Sequence, residues 1–246
     1  MSLDLAHYDT LTREAVQIFW RTRTPAATAS AGVDVGNRGA VTAGKNLDGF
    51  YALIQAIVAA NGLPGDAVYC STRPTSASRH TKLPGFYRPI KDWDVLVVNG
   101  EELVAAVELK SQVGSFGNNF NNRSEEAIGM GEDLRVAYRE GLVGDAARPF
   151  IGYLMLLQDS VGSTSSVSVS SRHFEPDAVF EGASYAERYA ILCRRLVREG
   201  LYDAATVLLS SAETGPRGDY RELDEATGLR AFVARLGARV AESASR

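Results

Sequence analysis

The chain has only two cysteines and three histidines in 246 residues, which leaves little material for disulfides or for thiolate and imidazole metal sites. Cys70 and Cys193 lie far apart in no metal-ligand spacing, so we expect reduced thiols, with Cys193 in the core. No run approaches the roughly 20 apolar residues that a membrane helix needs, and the start MSLDLAHYDT lacks the regions of a secretory signal. These absences favour a cytoplasmic protein without a membrane span.

The chain also lacks an excess of positive charge, because 26 Lys and Arg stand against 30 Asp and Glu, for a net charge of −4. This argues against a general nucleic-acid coat protein, although a local basic cleft stays compatible with it. One basic segment exists: the stretch 71–91 contains five Lys or Arg residues and no acid. It is either a solvated loop or a phosphate-contacting segment, in which Arg88 and Lys91 are the candidate DNA ligands.

Hydrophobic periodicity predicts the order of helices and strands. Helices are expected at 5–20, 46–60, 124–140, 185–199 and 223–241, strands at 67–71, 93–98, 103–110, 149–158 and 204–210, and loops at 24–44 and 162–172. From residue 46 onward the order is helix, strand, strand, strand, helix, strand. Short connections make the first three strands antiparallel, and the helix then leads to a parallel strand. The sequence therefore predicts one α/β domain over residues 1–246, a mixed sheet flanked by helices on both faces.

Three charges interrupt the most hydrophobic predicted hairpin, WDVLVVNGEELVAAVELKSQ. Glu108 and Lys110 share one face of their strand, whereas Leu109 points to the other. A four-residue loop 99–102 would leave both of its glutamates in solvent, pair Asp94 with Val107 and place Asp94 beside Glu108. A two-residue loop would instead shift Asp94 toward residue 105.

Two neighbouring carboxylates repel one another, and a divalent cation removes the difficulty. Mg²⁺ binds one or two carboxylates together with water and substrate phosphate. Asp94, Glu108 and the Leu109 carbonyl are the candidate ligands, and Lys110 would hold or activate a water for phosphodiester hydrolysis. The alternative without catalysis is a surface ion pair on an edge strand, since Glu-x-Lys tripeptides are common.

The context of these residues matches the PD-(D/E)-x-K nuclease pattern, although Trp93 stands where many members carry proline. Asp94 and Glu108-Leu109-Lys110 supply the pattern within the predicted element order. Asp48 is a further candidate for catalysis, because some members place an extra acid on the helix before the sheet. Its alternative role is that of a first-turn acid favouring the helix dipole.

Longer stretches narrow the resemblance. GKNLDGF (44–50), LPGFYRPIKDWDVLVV (83–98), VELKSQVGSFGNNFNNRSEEAIG (107–129) and YDAATVLLS (202–210) resemble the Xho-type family of Type II restriction endonucleases. The resemblance implies a restriction-endonuclease-like fold and a Mg²⁺-dependent homodimer that cuts double-stranded CTCGAG after the first C, leaving 5′ extensions. It also implies a cognate methyltransferase that protects the host DNA.

The block GNNFNNR follows the lysine strand closely. Asn reads adenine and Arg reads guanine in the major groove, so these side chains are candidates for DNA binding. The candidates are Asn118, Asn119, Asn121, Asn122 and Arg123. Turn chemistry is the alternative, with Asn122 as the cap of a helix that begins at residue 124.

Two other functions stay open. A repair or recombination nuclease of the same superfamily would read DNA structure rather than sequence. A DNA-binding protein that has lost catalysis would keep the fold, although the intact acid-acid-lysine set argues against it.

Overall fold

The computed structural model describes residues 3–5, 7–29, 46–71 and 80–246, so residues 30–44 of the loop predicted at 24–44 and residues 72–79 of the basic segment lie outside the description. The helices are α1 (Tyr8–Ala29), α2 (Asp48–Ala60), α3 (Phe116–Arg139), α4 (Val161–Thr164), α5 (Tyr185–Arg198) and α6 (Leu229–Ala244). The strands are β1 (Val68–Cys70), β2 (Lys82–Pro84), β3 (Ile90–Asp92), β4 (Val95–Asn99), β5 (Glu102–Gln112), β6 (Phe150–Gln158), β7 (Ala204–Ser210) and β8 (Arg221–Glu222).

Six strands form the central sheet in the order β1-β4-β5-β6-β7-β8. Strands β1, β4 and β5 are antiparallel, whereas β6 and β7 run parallel to β5. Helix α3 makes the crossover from β5 to β6, and β2 and β3 form a separate antiparallel hairpin. The predicted mixed α/β sheet is confirmed. The sequence patterns missed the short strands β2, β3 and β8, which bury little apolar surface.

Helices cover both faces of this sheet. Helices α1, α2 and α6 bury their apolar sides in one core with Val107 and Leu109 of β5. Helices α3 and α5 pack in a second core on the opposite face, with Ala106 of β5 and Trp93. Since side chains alternate along a strand, Glu108 and Lys110 belong to the face covered by α3 and α5. Cys193 lies fully buried in the second core, as predicted. Among the described helices, not one combines the length and apolar character needed to traverse a bilayer.

The register of the central hairpin differs from the prediction. Val98 pairs with Leu103, as the predicted loop requires, but Asn99 also pairs with Glu102, so the connecting turn contains only Gly100 and Glu101. A bulge then shifts the register, and Val95, not Asp94, pairs with Val107. The bulge inserts one residue into β5 and turns the strand locally. Continued past Val95, the shifted register carries Asp94 toward Glu108, so the expected juxtaposition arises by a different route.

Glu102 is not the solvated turn residue that the four-residue loop required. Its carboxylate accepts hydrogen bonds from Arg239 and from Ser243 Oγ (2.7 Å) on α6, and it also contacts Arg246. Burial opposes ionisation of Glu102, but the bonds from Arg239 and Ser243 outweigh it and lower the pKa of this carboxyl below its usual 4.5. The first glutamate of the turn, Glu101, is exposed as expected.

Two helices extend beyond their predicted bounds. Helix α1 continues through Ala29, so the predicted loop is wrong for residues 24–29. Helix α3 begins at Phe116 rather than at residue 124, because Phe116 and Phe120 lie one turn apart and pack against aromatic rings of α5. The turn before it is tight, with Ser115 in the left-handed region at φ 48°. The short helix α4 occupies the first residues of the loop predicted at 162–172, and helix α6 begins at Leu229 rather than at residue 223.

Candidate active site

The central hairpin brings the three predicted catalytic residues together. Asp94 stands immediately before β4, and Glu108 and Lys110 lie two residues apart on β5. Asp94 Oδ2 accepts a hydrogen bond from the Leu109 backbone N–H at 2.9 Å, which ties the start of one strand to the middle of the other. The three charged side chains therefore occupy one small region at the open end of the hairpin.

Burial and the negative charge of Glu108 together raise the pKa of Asp94 from 3.8 to about 6, although Lys110, the Leu109 N–H and Lys91 act in the opposite direction. The net rise means that the ionised carboxylate is poorly compensated in the metal-free protein. A cation bound at this position would stabilise the charged form. A strongly perturbed pKa caused by desolvation and a neighbouring like charge is a frequent property of functional sites.

Glu108 is only 2% exposed, and two lysines hold its two oxygens. Lys110 contacts Oε1, and Lys91 Nζ lies 3.1 Å from Oε2. Lys91 also donates to the Asp92 carbonyl and stands over the ring of Trp93, 5.2 Å from its centroid. Glu108 is thus a buried carboxylate with a lysine on each side, a satisfied arrangement in the absence of metal.

The donor set of this region fits Mg²⁺. Mg²⁺ keeps several waters and needs only one or two protein carboxylates, which Asp94 and Glu108 supply. Within the described ranges, no group of three or more His, Cys, Asp or Glu side chains is arranged to hold a metal ion. A zinc-like cage of protein ligands is therefore not present in that part of the chain, whereas a pair of neighbouring carboxylates is.

Asp48 does not lie on the central hairpin with these three residues. It is exposed in the first turn of α2, and α2 packs on the face of the sheet opposite Glu108 and Lys110. Its proximity to the helix start is also what the dipole explanation requires. A catalytic role for Asp48 stays a prediction.

The asparagine block lies on the first turns of α3 rather than in a loop. Asn118, Asn121 and Asn122 are exposed and follow the i, i+3, i+4 spacing of one helix face. Asn119 donates to the Ser115 carbonyl at 3.1 Å, and Arg123 pairs with Glu126 at 2.6 Å. Asn122 is inside the helix, so its predicted role as the cap is wrong. The exposed face starts six positions after Gln112, the last residue of β5, and DNA contact by this face stays a prediction.

Arg88 is engaged within the protein. Its Nε donates to Asp133 Oδ2 of α3 at 2.7 Å, while its side chain stays 41% exposed. Asp133 Oδ1 accepts from the backbone N–H groups of Phe86 and Tyr87, both at 2.8 Å. The described end of the basic segment is thus an ordered hairpin, β2–β3, that is fastened to α3, although residues 86–90 at its tip are exposed to solvent, as the loop interpretation expected.

Sequence reasoning missed the contact of Lys91 with Glu108. We expected Lys91 at a DNA phosphate, whereas the structure places its ammonium group against a candidate metal ligand. The Pro84-Gly85 dipeptide is a turn signal and could have indicated the β2–β3 hairpin. No local signal joins Lys91 to a residue that lies 17 positions later.

Comparison with known proteins identifies the family of this chain. The family model described as "Restriction endonuclease XhoI" matches residues 27–222. The Type II restriction enzyme XhoI of Xanthomonas vasicola is 50% identical over 217 residues, covering 86% of this chain and 84% of the relative. The Type II restriction enzyme BstVI of Geobacillus stearothermophilus is 44% identical over 199 residues, covering 78% and 86%. AbrI of Azospirillum brasilense, another Type II restriction enzyme, is 46% identical over 178 residues, covering 71% and 77%. No solved structure matches the chain.

Proposed function

This chain belongs to the restriction endonuclease XhoI family, and we propose that it hydrolyses double-stranded DNA at CTCGAG with Mg²⁺ as cofactor. The observation that carries the proposal is the Asp94, Glu108 and Lys110 group on one hairpin of a restriction-endonuclease-like sheet. Cutting after the first C with 5′ extensions, protection by a cognate methyltransferase and a cytoplasmic location are parts of the same proposal.

Each residue of the group has a separate role. Asp94, Glu108 and the Leu109 carbonyl would hold the Mg²⁺, which supplies positive charge at the scissile phosphate and lowers the pKa of a water. Lys110, whose side chain is 19% exposed, donates to the attacking water and orients it, and the proton of that water passes to solvent because a bound Mg²⁺ would lower its pKa. Glu108 can hold this ammonium group through Oε1 until substrate arrives. The ammonium groups of Lys110 and Lys91 also stabilise negative charge that develops on the phosphate oxygens.

A palindromic site calls for a two-fold homodimer, because each subunit then hydrolyses one strand of an identical half-site. Sedimentation equilibrium of the purified chain tests this part directly. A dimer is expected at micromolar concentration, and a chain that stays monomeric with and without CTCGAG duplex would contradict it.

The cleavage activity is tested by incubating the protein and Mg²⁺ with a plasmid that carries a single CTCGAG site. We expect one linear product, sequenced ends after the first C, and no cutting of a matched plasmid in which the site is scrambled. Lys110→Ala should lower the cleavage rate at least about a thousandfold while leaving duplex binding intact, because it removes a group that acts mainly on the transition state. A wild-type rate in this variant would refute the role of Lys110.

The two alternatives predict other results. A structure-selective nuclease would cut branched junctions in preference to linear CTCGAG duplex, and an inactive DNA-binding protein would shift duplex in a gel without metal-dependent cutting. The relatives named Type II restriction enzymes favour sequence-specific cutting.

A further inference from the structure

The tip of the β2–β3 hairpin, residues 85–90, exposes an unusual amount of apolar surface. Phe86 is 47% exposed, Tyr87 65% and Ile90 58%, and the rings of Phe86 and Tyr87 stand edge to face at 5.0 Å between centroids. Single exposed apolar residues are ordinary on protein surfaces. Three within five positions of one turn form a patch of the kind that marks an interaction site.

This hairpin tip is rigidly held although its side chains face solvent. The Asp133 carboxylate is 2% exposed and accepts three hydrogen bonds from the tip, two from backbone N–H groups and one from Arg88. A Cβ at Gly85 would stand 2.7 Å from both the Arg88 carbonyl and Asp133 Oδ2, so the close approach requires glycine. A buried carboxylate is costly unless donors compensate it, and here the donors come from the tip. The exposed rings therefore belong to a pre-organised element.

The hairpin also leads directly into the candidate active site. Lys91 on β3 contacts Glu108, and Asp94 follows β3 after one intervening residue. Lys82 on the paired strand is exposed, and Arg88 lies at the tip. An extended chain from Lys91 to Tyr87 spans at most about 13 Å, about four base-pair steps of DNA. A duplex with its scissile phosphate at Asp94 and Glu108 would therefore have its nearby base pairs within reach of the tip.

We propose that the hairpin tip enters a groove of the bound duplex beside the scissile phosphate, with Phe86 and Tyr87 in apolar contact with bases and sugars and with Lys82 at a flanking phosphate. The inference rests on the proposed function and adds a DNA-contacting element to it. The surrounding cations and the continuity with the catalytic hairpin favour DNA as the occupant over a second copy of the chain. Apolar side chains at such positions read thymine methyl groups or wedge between base steps.

The test measures binding of a fluorescent CTCGAG duplex in the Lys110→Ala background with Mg²⁺, so that the DNA stays intact. Phe86→Ala/Tyr87→Ala should raise Kd at least about tenfold with an unchanged salt slope, because no phosphate contact is lost. Lys82→Ala should instead reduce the magnitude of the salt slope by about one. Leu142→Ala is the matched control, since Leu142 is 46% exposed in the turn after α3 and should bind like the parent.

Separate measurements distinguish the possible outcomes. A higher Kd with unchanged sedimentation and thermal unfolding supports the proposal, and Tyr87→Ala alone repeats the test if the double variant unfolds. In the cleavage-competent background, the same variants should raise KM more than they lower kcat. Unchanged Kd and KM would overturn the inference, as would a variant that loses affinity by becoming monomeric, since the tip would then be a subunit contact. If the wild-type protein cuts no CTCGAG plasmid, the proposed function is refuted. The tip variants are then compared with wild type for binding to random duplex, and an unchanged Kd there refutes the inference about the tip.

Discussion

Asp94→Asn should stabilise the metal-free protein while abolishing cleavage. The substitution removes a carboxylate that is disfavoured by burial and by the charge of Glu108, and the amide oxygen can still accept from Leu109 N–H. A pKa raised from 3.8 to about 6 corresponds to about 3 kcal/mol of unfavourable free energy for the ionised form. Since Asp94 is partly exposed and solvent screens its charge, we expect a gain of about 1 to 3 kcal/mol near pH 8.

The free energy of unfolding that Asp94→Asn gains over wild type should increase as the pH rises. Between pH 3.8 and about 6 the folded wild type binds more protons at Asp94 than the unfolded chain does, so its free energy of unfolding falls as pH rises through this window. Below the window both states are protonated and the contribution vanishes, and above it the full cost is present. The difference between Asp94→Asn and wild type should therefore be largest above pH 6.5 and small at pH 4.

Urea unfolding in EDTA at pH 4.5 and pH 8 measures this difference, with far-UV circular dichroism as the signal. Glu101→Gln is the matched control, because it removes a negative charge from the exposed turn of the same hairpin and should change stability by less than about 0.5 kcal/mol. Adding Mg²⁺ should stabilise wild type and not Asp94→Asn. A variant less stable than wild type at pH 8, or a gap that does not shrink toward pH 4.5, would refute the electrostatic reasoning.

Three further substitutions test the fold around the site. Glu102→Gln should cost about 2 kcal/mol at neutral pH, because it removes the carboxylate that Arg239, 9% exposed, contacts most closely and leaves it only Glu242 at 3.9 Å. In denaturant titrations this cost should fade as the pH falls below the usual pKa of 4.5, since the folded pKa of Glu102 is lowered. Asn122→Ala should leave the free energy of unfolding unchanged or raise it by up to about 0.5 kcal/mol in thermal denaturation, because Asn122 is an exposed residue inside the helix. A decrease of about 1 kcal/mol would instead indicate that Asn122 caps the helix. Phe232→Ala should lower the free energy of unfolding by about 3 to 5 kcal/mol in chemical denaturation, because its buried ring packs edge-on against Phe150 with 5.4 Å between the ring centroids. A decrease below about 1 kcal/mol would mean that the first core repacks around the cavity.

Local periodicity carried much of the architecture. Alternation along VAAVELK placed Glu108 and Lys110 on one face and Leu109 on the other, and the unbroken apolar run PFIGYLMLLQ identified β6 as a strand buried on both faces. The order of elements from α2 to β6 then restricted the sheet to a mixed topology, because short connections give antiparallel pairs and a helical crossover gives a parallel one. These features follow from residues that are near neighbours in the chain.

Other features of the site depend on contacts between residues that are far apart in the chain. Hydrophobic periodicity does not predict such contacts. A bulge, and not the loop length, carries Asp94 toward Glu108. Lys91 reaches Glu108 across 17 positions, and Arg88 reaches Asp133 across 45. Helix α3 begins early because Phe120 packs on an aromatic ring of α5. The sequence pattern therefore determined the strands and the candidate catalytic residues on them. Packing between distant elements decided which charges meet, because a buried carboxylate is stable only where folding brings donors to it.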